Sequence, residues 1–560
     1  MSDIEIPVLI VGAGPVGLLG GQLLGKHKIP ALIAEKHLGR LEAPKAHALN
    51  PRSLEICAAA GLSMDQIHGD ATPTEEGRYV RMVETIAKGD IGSLAYERQD
   101  EAVREVTRWP LINIEQPKFE DILERSVSAM PGIQIRRGLA WLRCDQLGDT
   151  VISTLKDRAT GAEIKVRSRY LIGADGAGSA VRDGLGIPMD GPESLQTNMM
   201  IHFEADLRKF VGNRPAILYF AFGPGPNGVL IAYDVGKTWV FMTPCKPDDT
   251  PENFTDEICR DLIQAVVGAP IPDLKVKGAK AWVMSAQVAR TYRTGNAFLA
   301  GDAGHRFPPT GGLGLNTGIA DIDNLTWKIA AVERGWAGPE ILDSYEVERR
   351  TIAQTNMGQS LVNAMRIMSV FEALGYAPGH AVDPQDFAHR LSDPEARAKV
   401  DAAIAFQKDH FDSLRLQLGY AYGDALKDDE TLPISEFVPK VALGARLPHI
   451  ALRDGRSSLD LAGIQGFTLF CGVKHDAWQV VSQTTAAPVS VMAQGRDFNA
   501  ASGSWSSQMG IADDGALLVR PDGHILGIFR SVAETGTAPA VQAISDYVKP
   551  PASASIGKVA

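Results

Sequence analysis

Apolar side chains come in short, dense runs near the start of the chain. Ile6 to Val11 is uninterrupted and predicts a buried strand. Helix-compatible residues follow from about Pro15 to His27, and Pro30 to Ala34 predicts a second strand ending at Glu35. That order predicts a βαβ unit. Its first turn holds Gly12, Gly14 and Gly17. Gly12 permits the tight turn, Gly14 lets backbone approach a pyrophosphate, and Gly17 lets helix and strand pack closely. The helix N-terminus offers free N–H groups to phosphates. Glu35, 18 residues past Gly17, stands where an acid can accept hydrogen bonds from an adenosine ribose. The pattern predicts a dinucleotide site without separating FAD from NAD.

A second set of patterns lies far downstream. Arg169 to Ala174 predicts a strand, followed by a turn at Asp175-Gly176. Ala297 to Ala300 predicts another, followed at once by Gly301-Asp302. Pro308 and Pro309 stiffen the next loop, and Gly311, Gly312 and Gly314 allow close backbone approach. From about Leu315 the spacing turns helical, with Ile319, Ile322, Leu325 and Ile329 on one face. Asp302 suits a polyol such as ribityl, and the helix start suits negative charge on a flavin's pyrimidine edge. Earlier, Pro51 and Arg52 open a helix that Gly61 closes. Lys45 and Arg52 either counter phosphate charge and orient a bound ring or form a basic loop edge.

The middle reads differently. Ala216–Phe222, Val229–Tyr233 and Trp239–Met242 predict strands, with a turn at Asn227-Gly228. They predict an antiparallel sheet flooring an aromatic cavity, with His202, Phe203, Tyr219, Phe220, Phe222 and Tyr233 as candidate lining. A helical region ends at Asp343–Arg350, and another runs through Ile367 and Leu374. Near the C-terminus, Leu459–Cys471 and Trp478–Val481 predict strands, and Ala516–Arg520 with Ile525–Phe529 predict a hairpin around Pro521-Asp522-Gly523.

Length and composition narrow the classes. A chain of 560 residues, 45% hydrophobic, supports several cores. Its 56 basic and 67 acidic side chains leave a net charge of -11, so no nucleic-acid partner is expected. Five scattered cysteines without a CxxC pair predict neither a disulfide scaffold nor a zinc site, and a reducing, cytoplasmic setting. No run of 18 charge-free apolar residues predicts a membrane span. His305 has no second ligand at metal spacing, so no metal site is expected.

Three separated motifs, GAGPVG at Gly12–Gly17, Asp175-Gly176, and GDAGH-RFPP-TGGLGLNTG at Gly301–Gly318, resemble those of the single-component FAD-dependent aromatic hydroxylases. QPKFEDIL at Gln116 adds a weaker match, and QTNMMIHFEADLR at Gln196–Arg208 is similar to phenol and dichlorophenol hydroxylases. Lys45 stands where the family commonly has arginine, and Gly304 where it usually has alanine. The resemblance implies a resident FAD, with NADPH or NADH as a visiting co-substrate. It also implies O₂-dependent hydroxylation of a phenolic substrate through a flavin C4a-hydroperoxide, and a homodimer. The implied cofactor set is Gly12, Gly14, Pro15, Gly17, Glu35, Lys36, Lys45, Arg52, Gln116, Asp175, Asp302, Pro308, Gly312, Gly314, Leu315 and Asn316. His47, His202 and Tyr233 are the candidates for handling the phenolic proton. Epoxidation, oxidative dearomatisation and Baeyer–Villiger insertion stay open as alternatives, as do a flavin-free dehydrogenase and an FAD-binding scaffold.

The implied fold is α/β: a Rossmann-like FAD-binding domain interleaved with an antiparallel-sheet substrate domain, plus a C-terminal thioredoxin-like domain. The FAD-binding domain takes residues 1–75, 104–185 and 288–400, and the substrate domain 76–103 and 186–287. A linker over 401–443 leads to the thioredoxin-like domain at 444–560. That last unit lacks a redox CxxC, so a structural or dimer-associated role is expected of it.

Overall fold

A computed structural model describes residues 4–40, 46–246, 248–377, 382–423 and 432–549. Lys45 and the chain beyond 549 lie outside the described residues. The first sheet is built on strand Ile4–Val11, which pairs in parallel with Ala31–Glu35 on one side and Glu163–Gly173 on the other. Ala297–Leu299 and Ile133–Arg137 extend it in parallel, and an antiparallel pair, Leu139–Leu147 and Thr150–Asp157, flanks it. Val8, Leu9 and Ile10 are fully buried, as expected of a central strand in a parallel sheet that is covered on both faces. Helix Pro15–Lys26 packs against helix Leu313–Glu333, the latter buried on nearly every side.

The second sheet has seven strands in the order 275–284, 196–204, 238–244, 228–234, 218–221, 79–83, 90–95. Only the 218–221/79–83 pair is parallel. Strand Gln196–Glu204 alternates, with Met199, Ile201 and Phe203 turned into the core beneath helix Asp256–Val267.

The third sheet orders Val489–Ala493, Phe467–Cys471, Ala516–Val519 and Ile525–Phe529, with the first two parallel and the rest antiparallel. Two sequence expectations are corrected here. Trp478–Val481 is helical rather than extended, lying in a 3₁₀ turn and helix Gln479–Thr484. A strand would turn Trp478 and Val480 to one face, but the core takes Trp478 and Val481, the i and i+3 positions, and leaves Val480 42% exposed. The strand expected over Leu459–Cys471 begins only at Phe467, because Ser457 caps a 3₁₀ turn at Ser458–Leu461. The two helical stretches around Arg350 are one helix, Asp343–Ala373. Cys471 is fully buried, and burial pushes its thiol up to about 12.

Buried charges join this C-terminal unit to the rest. Arg520 donates to Glu348 at 2.6 and 2.9 Å, and Lys328 donates to the same carboxylate at 2.7 Å. Asp522 accepts from Arg520, from Trp327 Nε1 at 3.2 Å and from Asn324 Nδ2 at 3.3 Å. Arg446 pairs with Glu55 of helix Pro51–Ala59. Among the described residues, no helix is long and apolar enough to cross a membrane.

Candidate active site

The glycine turn shows why its residues are glycine. Gly12 has φ +108°, and a Cβ there would lie 2.3 Å from Ala174 O. A Cβ on Gly17 would lie 2.0 Å from Gly12 O. Gly14 is different: a Cβ on it would meet nothing within 4 Å. Space is therefore held open at the start of helix Pro15–Lys26, with Pro15 at its first position. Glu35 fixes the turn by accepting from Ala13 N at 2.9 Å and His37 N at 2.8 Å. Lys36 beside it is exposed.

Asp175 abuts this turn, but its carboxylate accepts from Ser179 Oγ at 2.5 Å and Val181 N at 3.2 Å. Burial raises its pKa. Gln116 accepts from Ala46 N at 3.2 Å and donates to Glu120 at 2.7 Å, holding the segment before His47 in place. Arg52 is buried and engaged by other protein groups. It donates to Asp522 O at 2.6 Å, approaches Asp323 at 3.5 Å, and so serves the junction with the C-terminal unit.

The Gly301–Asp302 turn rests on a buried ionic group. Asp321 accepts from Gly301 N at 3.2 Å, meets His305 Nε2 at 2.8 Å, and accepts from Arg349 Nε at 2.9 Å. Burial alone would raise the Asp321 carboxyl, yet His305 and Arg349 hold it below its ordinary value. His305 is thus engaged in the frame of the loop. Asp302 is exposed on the rim of the same turn. We expect Asp302→Ala to weaken FAD retention about tenfold, the scale of one hydrogen bond to a charged group, measured by flavin release on dilution. Full FAD content with undiminished turnover would exclude that role.

Pro308 is buried, and Gly311 and Gly312 have φ +93° and +61°. They lead into helix Leu313–Glu333, whose N-cap, Gly312, supplies no side chain to its first N–H groups. Those donors remain for a ligand. Gly314 has open space around it. Leu315 is half-buried, and Asn316 accepts from Asn50 N at 2.9 Å while donating to Ala48 O and Gly312 O at 3.0 and 2.7 Å. It locks the helix start to residues 48–50. The open glycine turn and the uncapped helix start fit FAD: the first would hold its pyrophosphate, the second its pyrimidine edge, and Asp302 its ribityl hydroxyls.

Next to this helix start, three rings meet. His47 lies 5.8 Å from Tyr96 and 6.0 Å from Tyr233, the latter edge-on. Tyr96 Oη would lie 3.6 Å from a Cβ on Gly312. His47 Nδ1 lies 2.9 Å from Asn113 Oδ1, while Asn113 Nδ2 donates to Gly77 O at 3.1 Å. The second bond orients the amide, so Nδ1 carries the proton and Nε2 keeps its lone pair. Burial lowers the pKa of His47, against the Asn113 bond, which raises it. Tyr233 is buried, its hydroxyl has no partner among the described residues, and burial raises its pKa far above the usual phenol value. His202 is half-buried in register with Val240, whose side chain packs in the Tyr233 cluster. Among the described residues, the rings grouped with His47 are Tyr96 and Tyr233. Tyr96 and Asn113 escaped the sequence reading, because neither sits in a spaced motif.

Residues 5–360 match the family model for the FAD binding domain, and residues 440–545 that for the aromatic-ring hydroxylase C-terminal region. The chain is 30% identical to the 2,4-dichlorophenol 6-monooxygenase of Cupriavidus pinatubonensis, covering 93% of each chain. It is 31% identical to the 4-methyl-5-nitrocatechol 5-monooxygenase of a Burkholderia species, covering 97% of each. The solved flavin-dependent monooxygenase PieE, in complex with FAD and substrate, superimposes with a TM-score of 0.92 at 31% identity. That match covers 98% of this chain and 100% of PieE.

Proposed function

The chain belongs to the FAD-dependent aromatic hydroxylases, and on that premise we propose that its substrate is a phenol, held by its hydroxyl between His47 and Tyr233. The observation that carries this reading is the pairing of an imidazole whose Nε2 is free to accept a proton with a buried, unpartnered tyrosine hydroxyl. Both stand beside the uncapped helix start that suits a flavin. When bound, FAD supplies the reduction by NAD(P)H and the activation of O₂.

The chain's own residues do the rest. His47 Nε2 takes the phenolic proton, which raises electron density at the ortho and para carbons. Tyr233 donates to the resulting phenolate oxygen and fixes the ring's direction. Tyr96 and Ala48 exclude water from the side facing Gly312, both being buried there. Asn113 keeps His47 in the productive tautomer. His202, on the neighbouring strand, shapes the sheet face rather than the proton path.

The finer parts of the reading belong to the same proposal: the cofactor residues named above other than Arg52, NADPH in preference to NADH, a homodimer, and the division of the chain into FAD-binding, substrate and C-terminal parts. The substrate part is supported by a sheet drawn wholly from 79–95 and 196–284. A thioredoxin-like C-terminal unit is supported by its strand order and its single parallel pair.

Incubation with NADPH and a phenol panel under labelled oxygen tests the function. One labelled atom in a ring hydroxyl is the expected product, while epoxide, lactone or dearomatised products would overturn it. Tyr233→Phe is expected to lower kcat about tenfold with FAD content unchanged, the scale of one lost hydrogen bond to a charged oxygen.

A further inference from the structure

Behind the Gly311–Gly312 loop lie buried polar atoms that the phenol site leaves unused. Helix Asp343–Ala373 turns Ser360 and Asn363 inward, one helical turn apart and both fully buried. Asn363 Oδ1 accepts from Gln359 Nε2 at 2.7 Å, which fixes the amide and directs Nδ2 towards the loop. That Nδ2 lies 3.1 Å from the point where a Cβ of Gly311 would stand, and has no hydrogen-bond partner among the described residues. The backbone of His410 passes the same point, its carbonyl 3.8 Å away, while its buried ring lies in the adjoining wall against Phe411 and Phe220, with Nδ1 also without a partner among the described residues.

An apolar wall connects this place to the phenol site. The His410 ring stacks on Phe411 at 4.0 Å and meets Phe220 edge-on at 6.4 Å. Phe411 belongs to one buried cluster with Ala48, Tyr96, Ile217 and Phe222. Ala48 and Tyr96 flank Gly312. The wall is held from behind by Glu97, whose N–H donates to Phe411 O at 2.5 Å and whose carboxylate accepts from Ser413 N at 2.9 Å. The sequence of surfaces is therefore polar at His47 and Tyr233, apolar along Tyr96, Phe222 and Phe411, and polar again at Asn363 and His410. A buried donor without a partner keeps its desolvation cost, so a ligand acceptor at the second pole relieves a cost already present.

We propose that Asn363 and His410 form a second recognition pole for a neutral acceptor oxygen, such as a ring-attached carbonyl, on the side of the substrate away from its reacting hydroxyl. Burial holds the His410 imidazole down to about 3, so this pole presents neutral groups. It selects a polar substituent by hydrogen bonding rather than by charge. The inference rests on the phenolic reading and adds the substrate's second functional group to it.

The test uses FAD-loaded enzyme and two pairs of probes that differ only in a carbonyl in place of a methylene next to the ring, 4-hydroxyacetophenone with 4-ethylphenol and 3-hydroxyacetophenone with 3-ethylphenol. Affinity is read from the perturbation of flavin absorbance, and turnover from product. The wild type should bind the ketone of at least one pair about tenfold more tightly than its ethyl partner. Asn363→Leu should erase that preference and leave the ethylphenol Kd within about threefold. Asn363→Asp keeps the size and the Gln359 contact but removes the donor, and should also erase it. Equal binding of ketone and ethyl probes by the wild type overturns the proposal, as does a preference retained in both variants. A parallel loss of both probes or of FAD overturns it too, because that marks a structural role. If both probes are hydroxylated with equal Kd, the phenolic reading stands and only the second pole falls. If no phenol of either pair binds, the phenolic reading fails and takes the second pole with it.

Discussion

Gly14→Val should yield a folded protein with about a hundredth or less of the wild-type affinity for FAD. The three glycines of the first turn look alike in sequence but answer to different neighbours. A side chain on Gly17 collides with Gly12 O, and one on Gly12 with Ala174 O, so both substitutions break the protein's own packing. Gly14 has extended backbone, φ -78° and ψ -178°, that any residue adopts. A Cβ there meets no protein atom within 4 Å. It occupies only the space a pyrophosphate would need, at the helix start whose N–H groups would bind it. Losing that approach is expected to cost about 3 kcal/mol, hence the hundredfold. Thermal unfolding of apoprotein should coincide for variant and wild type, while flavin content after gel filtration separates them. A fully loaded yellow Gly14→Val protein would refute the cradle. Gly17→Ala, by contrast, should be poorly soluble with or without flavin.

Arg520→Met should destabilise the whole protein by about 3–5 kcal/mol, the usual consequence of removing one partner from a buried ion pair. Arg520 is 3% exposed at its side chain and stands between Asp522, which is buried still more deeply, and Glu348, which is 9% exposed. Without it, Lys328 and its bond to Glu348 remain, but among the described residues Asp522 keeps only Trp327 and Asn324 as side-chain donors to its carboxylate. The pairing joins the C-terminal unit to two helices of the FAD-binding region, so the loss should appear as a single lowered midpoint in urea. A separate early transition confined to the C-terminal unit would contradict this. So would a change below 1 kcal/mol, which is the behaviour of an exposed pair.

What could be read ahead of the structure follows a physical line. Local spacing carried the βαβ unit, the Gly301–Gly318 loop and the middle strands, because each is written in consecutive residues and in a period the backbone imposes. The interior partners of the charges were not legible. Arg52 stands in the loop-to-helix region where a phosphate ligand is expected, yet its guanidinium reaches Asp522 O, 470 residues away. The proton site was half legible. His47 and Tyr233 were named for their chemistry, but Tyr96, which touches the same imidazole, and Asn113, which sets its tautomer, come from segments with no motif. The Trp478 segment failed for a different reason: four residues are too few for apolar period to separate helix from strand.

The parallel pairing of Ile4–Val11 with Glu163–Gly173, and of that strand with Ala297–Leu299, sets an order in time as well as in space. The proposed nucleotide cradle is encoded within the first 17 residues, but Gly12 is wedged against Ala174, and the proposed pyrimidine end of the site waits for Gly312. At ribosomal rates of about 5–20 residues per second, roughly 15–60 seconds separate synthesis of the two ends of the flavin site. A nascent chain therefore exposes an incomplete cradle for most of its synthesis. On this placement flavin capture waits until synthesis has passed the middle of the chain, and a shortage of flavin would be felt at assembly rather than at the start of translation.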